Sequence, residues 1–172
     1  MVKKAITGNA VTLFLILALC AGVAGTAQAA GEKVVRMESE ILEVVTLRGP
    51  EYQFGAHVNV PRTARLQSRK TGSDGFETEL QVTDAYEAPE PRRYTQARIK
   101  EAGLTLSPVQ TIINEIPGVS DYEESVDFRL PLQKLPEGQD LTIQLIAEIG
   151  ENREFRLPAR YIAMQRQAIA GE

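Results

Sequence analysis

The sequence predicts an all-β domain, two packed sheets with one short helix, behind an N-terminal export signal. Two observations carry the fold: apolar and polar residues alternate at period two in several separate segments, and runs rich in Gly, Asp, Ser and Pro punctuate them. A third sets the boundary of the domain. The one long apolar run, residues 10–24, lies between Lys3-Lys4 and the small-residue sequence Ala27-Gln28-Ala29.

A positive start, an apolar centre around Leu13, Phe14, Leu15, Ile16, Leu17 and Leu19, and a small-residue end are the three parts of a cleavable secretory signal. The run is shorter than the roughly 20 residues that a helix needs to span a bilayer, so it predicts cleavage and not a retained anchor. Leu17-Ala18-Leu19-Cys20 also resembles a lipidation signal, but Leu19 stands where such signals carry a small residue. The expected organisation is therefore a signal peptide over 1–29 and a single domain over 30–172. Cleavage there removes the only cysteine, so the domain is expected to hold together without a disulfide.

Within 30–172, residues 32–47 fit either a helical face or extended chain. Their β-branched content favours strand. From 52 to 60, Tyr52, Phe54, Ala56, Val58 and Val60 alternate with Gln53, Gly55, His57 and Asn59, the pattern of a strand with one buried face. Ala64, Leu66 and Ser68, then Phe76, Thr78, Leu80 and Val82, alternate on either side of Thr71-Gly72-Ser73-Asp74-Gly75 and predict a hairpin. Pro89 and Pro91 exclude residues 86–94 from a central ladder, because each removes a donor; this segment is expected as an exposed loop or edge.

Ser107-Pro108 followed by Val109, Ile112, Ile113 and Ile116 at helical spacing, and ended by Pro117-Gly118, predicts the one short helix. Val126, Phe128 and Leu130 predict a strand, as do Leu141, Ile143, Leu145, Ala147 and Ile149 after the loop Leu135-Pro136-Glu137-Gly138. Gly150-Glu151-Asn152-Arg153 is a polar turn, after which Phe155, Leu157 and residues 161–164 predict the returning strand of a closing hairpin. Short strands at this spacing suggest an immunoglobulin-like two-sheet sandwich in shape, although the Cys and Trp marks of antibody domains are absent.

Charge and residue types exclude several functions. Removing Lys3 and Lys4 leaves 17 basic against 23 acidic residues, a formal charge of −6, so no nucleic-acid partner is expected. His57 is the only histidine and no Gly-x-Ser-x-Gly occurs, which argues against triad hydrolysis; no Gly-Lys-Ser or Gly-Lys-Thr marks a phosphate loop. Asp121, Glu123, Glu124 and Asp127 are expected as a solvated acidic turn, since the ligand order of a calcium loop is missing. No metal and no cofactor are expected.

Charge is also uneven. Residues 62–100 hold eight basic residues against six acidic ones, whereas 101–151 hold ten acidic residues against Arg129 and Lys134 alone. Complementary fields of this kind can steer an acidic partner, or join copies of the chain to one another. The cluster chosen for recognition is Tyr86, Arg92, Arg93 and Tyr94, because Arg and Tyr anchor interfaces and loops carry function; a guarded edge strand explains the same residues.

The expected function is a non-catalytic exported module, periplasmic or extracellular, that binds another envelope protein or a cell-wall component. A carrier of an apolar ligand or lipid is the alternative, with Tyr52, Phe54, Phe76 and Phe128 lining a space between the sheets. A carboxylate-dependent hydrolase of envelope glycans is the third.

Overall fold

The computed structural model describes residues 32–39, 42–117 and 121–172; the expected signal peptide and Cys20 lie outside the described residues. The strands are β1 (Val35–Ser39), β2 (Val44–Arg48), β3 (Tyr52–His57), β4 (Val60–Thr71), β5 (Glu77–Glu87), β6 (Tyr94–Ile99), β7 (Leu104–Leu106), β8 (Pro108–Ile116), β9 (Asp121–Arg129), β10 (Leu141–Ala147) and β11 (Arg153–Leu157), followed by helix α1 (Ala159–Ala170). Seven strands form one antiparallel sheet in the order β1-β2-β4-β5-β9-β8, with β3 also on β4. The other four form a second sheet, β11-β10-β6-β7. The all-β two-sheet sandwich is the fold that the alternation predicts.

Strands β2 and β3 lie end to end along one side of β4, β2 against residues 67–71 and β3 against residues 60–64. Gly49 sits at the break and continues the ladder, its N–H donating to the Leu66 carbonyl at 2.8 Å. A Cβ here would come within 2.9 Å of that carbonyl oxygen and 3.0 Å of Gln165 Oε1, so the close approach requires glycine.

Inward-facing Leu80, Val82, Val126 and Phe128 of the larger sheet pack against Ala97, Ile99, Leu141, Ile143, Leu145 and Leu157 of the smaller one. Each large apolar side chain buried this way contributes about 1.5–3 kcal/mol relative to leaving it in water. Phe54 stacks on Phe155 at 4.1 Å and Tyr52 meets Tyr161 at 5.3 Å, tying β3 to the second sheet and to the helix. Of the four aromatics expected to line an intersheet space, Phe128 is fully buried in the core and Tyr52 and Phe54, partly buried, pack against it.

Four local expectations change. Residues 108–116 are strand β8 and not a helix: Val109, Thr111, Ile112, Ile113 and Ile116 are β-branched and the segment pairs with β9 along its length. Both of its faces are largely exposed, so it lacks the alternation that would identify a strand. The helix is at the C terminus, where residues 161–164 were expected to return as strand; Pro158 precedes it, Ala, Met, Gln and Arg fill it, and Tyr161, Ile162 and Gln165 share its buried face. Residues 52–60 form two strands and not one, because Val58 has φ of 53° and turns the chain between β3 and β4. The acidic run belongs to β9 and is not a turn.

Candidate functional site

At one end of the sandwich the interlayer turns polar. Strand β5 sends Leu80, Val82, Asp84 and Tyr86 inward, and β9 sends Glu124 inward beside Val126 and Phe128, so two carboxylates occupy core positions with no solvent exposure. Glu124 serves as an anchor for the chain: it accepts from the Tyr86 hydroxyl at 2.6 Å, the Tyr94 backbone N–H at 2.6 Å and the Arg93 backbone N–H at 3.1 Å. The residue 88–93 loop is thereby fastened to the sheet below it.

Asp84 joins the two sheets. Its Oδ2 accepts from the Tyr94 hydroxyl on β6 and from Arg153 Nε on β11 at 3.1 Å, with Arg92 Nη1 at 3.8 Å. Arg62 Nε lies 3.0 Å from Asp84 Oδ1, yet its N–H is directed to the Ala85 carbonyl at 2.9 Å and Oδ1 accepts no hydrogen bond. The Arg62–Asp84 interaction is therefore Coulombic. Burial and the neighbouring Arg153 pull the Arg62 pKa down, and Asp84 offsets them only in part. Burial first, then Glu124 or Asp84, pushes the Tyr86 and Tyr94 hydroxyls well above the usual tyrosine range, so both remain neutral donors.

This arrangement locates the four residues chosen from sequence. Tyr86, Arg92 and Tyr94 are brought together but face inward, with the Arg92 guanidinium 4.5 Å from the Tyr86 ring centre and its backbone N–H donating to the Tyr86 hydroxyl at 2.9 Å. Arg93 alone of the four presents its side chain to solvent, 58% exposed and 3.9 Å from Glu148. Glu87, Pro89, Glu90 and Arg93 keep this segment exposed, as expected of it, while the Tyr86, Arg92 and Tyr94 side chains form an internal clasp between the sheets. The physical reason is that Glu124 and Asp84 supply buried acceptors that these donors satisfy.

The other sequence candidates are scattered. His57 is not fully on the surface: its Nε2 lies 3.2 Å from Asp121 Oδ2 and its side chain is 20% exposed. Burial raises the Asp127 pKa, with a bond from Gln81 acting against it. Among the described residues no group of three or more His, Cys, Asp or Glu side chains is placed to hold a metal ion.

A second region, which no local pattern announced, is open. Between the start of β5, the short edge strand β7, the end of β9 and the C-terminal end of α1 lies a groove of about 780 Å³, within the range of small-molecule sites. Leu104, Leu106, Leu130, Leu132, Ile169 and Phe76 give it an apolar lining. Two features hold it open. β7 is only three residues long and ends the smaller sheet early, and Arg166 of α1 donates to the Leu132 and Leu135 carbonyls at 2.6 and 2.7 Å, fixing the 131–135 wall. Gln165, fully buried, secures the same helix by donating to the Leu47 carbonyl at 2.9 Å and Ser68 Oγ at 2.7 Å.

No protein-family model matches this chain, and neither does any curated protein or any solved structure.

Proposed function

We propose that this chain is an exported, non-catalytic binding module of the cell envelope, periplasmic or extracellular, and that an envelope component seats in the groove beside the C-terminal helix. The groove carries the reading: it combines an apolar lining with a volume suited to a ligand or an inserted segment. The buried carboxylates have structural work, since Glu124 anchors backbone donors and Asp84 joins Arg153 and Tyr94 of the smaller sheet to the larger one. Export rests on the sequence of residues 1–29.

Site-specific photo-crosslinking in native cells tests this. A photoreactive residue at Thr105 or Gln133, which line the groove, should form reproducible adducts, and one at Arg93 in the loop should not. Adducts from Arg93 alone, or none from the groove positions, would overturn the proposal.

A further inference from the structure

Resting on that reading of the groove, we infer that its ligand is a single-chain anionic amphiphile: an acyl chain along the apolar lining with its carboxylate taken by lysines at the rim. The charge around the groove is opposite in sign to that of the whole chain. Arg129, Lys134 and Arg166 line it with Glu77 as the only carboxylate among the lining residues, in a protein whose formal net charge is −4. Lys70 is not itself a lining residue, but its ammonium stands 5.8 Å from the centre of the lining ring of Phe76 and is the nearest further cation to that wall that the ring contacts show.

Two of these cations are already balanced. Arg129 lies 3.3 Å from Glu77, and Arg166 lies 3.7 Å from Glu137 while it also binds two backbone carbonyls. Lys70 and Lys134 form no ion pair among the described residues. An ammonium on a flexible stem meets a carboxylate without demanding one geometry, and its methylenes can lie along an apolar chain. A carboxylate would offer both lysines a counter-charge, and a cationic ligand would be repelled. The volume suits one chain-like molecule and the site is a groove, so the occupant is a monomeric amphiphile and not a membrane surface.

The test uses the domain with a dansyl-labelled undecanoate and its methyl ester, which share a tail and differ in charge, both below their micellar concentrations. The acid should bind at least tenfold more tightly than the ester, and the preference should shrink as salt rises. Lys70→Gln combined with Lys134→Gln should abolish the preference, while Ile169→Trp should block both probes; Leu104→Trp serves as the second blocking variant, and thermal unfolding verifies that each is folded. Equal binding of acid and ester, blocked by Ile169→Trp, would overturn the anionic ligand and leave the groove reading standing. Binding that neither blocking variant affects, or binding only to vesicles of anionic phospholipid, would overturn the inference. No binding of either probe by the folded domain would overturn it too, with the photo-crosslinking result then deciding whether the groove seats another occupant.

Discussion

Asp84→Asn removes one charge from the centre of the buried clasp with little change of shape. In the native protein Asp84 is fully buried and faces Arg92, Arg62 and Arg153, whose side chains are only 10%, 19% and 22% exposed. Breaking a buried ion pair by removing one partner costs about 3–5 kcal/mol, because the remaining charge stays desolvated. Asparagine still accepts one hydrogen bond, and the partial exposure of the arginines lets water reach them. The expected loss is therefore about 3 kcal/mol, which for a domain of this size lowers the Tm by roughly 10 °C. Urea denaturation gives the free energy, and a double-mutant cycle apportions it. Coupling of Asp84 to Arg153, which donates to it at 3.1 Å, should exceed coupling to Arg62, whose N–H goes to the Ala85 carbonyl. A loss below about 1 kcal/mol, or a stronger coupling to Arg62, would refute the assignment of Asp84 as the joint between the sheets.

Three further outcomes follow from particular contacts. Gly49→Ala should destabilise by about 1–3 kcal/mol in chemical denaturation, because its new methyl meets the Leu66 backbone carbonyl, which cannot move aside cheaply. Burial acts to raise the Glu101 pKa, but the Thr142 hydroxyl and N–H, each donating at 2.7 Å, outweigh it and hold the carboxyl below its ordinary value. Its contribution is thus present above the unfolded pKa and lost as pH falls through the folded one; the stability gap between wild type and Glu101→Gln, under about 1 kcal/mol at neutral pH, should close in that acid window, and a gap that widens there would contradict it. Ile112→Lys, on the exposed strand β8 at 48% exposure, should change stability by less than about 0.5 kcal/mol in thermal melts.

The sequence discloses strands where one face is buried and the other wet. β10 and the Thr78–Val82 and Val126–Phe128 stretches of β5 and β9 alternate between core and a wetter face, and those stretches were legible, whereas the acidic 121–125 half of β9 was not. β8 was not, because an edge strand exposed on both faces carries no such contrast, and its isoleucines fell by chance at helical spacing. Helix α1 buries only Tyr161, Ile162 and Gln165, too few apolar positions to mark a helical face against a preceding strand pattern.

Tyr86, Arg92 and Tyr94 were legible as a cluster, but not their direction. Their partners are distant along the chain: Glu124, 38 residues from Tyr86, arrives through the pairing of β5 with β9, and Asp84, 10 residues from Tyr94, meets it across the two sheets. One signal was available. Asp84 and Tyr86 share the parity of Leu80 and Val82, and Glu124 that of Val126 and Phe128, so the alternation itself places both carboxylates inside. The groove had no comparable signal, since its walls come from four separate stretches of sequence that only the fold assembles.

The central claim is that the groove is the molecule's binding seat. Native mass spectrometry of the protein, purified gently from its native cells beside the Ile169→Trp variant, tests it most directly. A ligand seated in the groove gives a reproducible added mass on the wild type that the folded variant lacks. A bare chain in both, or the same added mass on both, would contradict it.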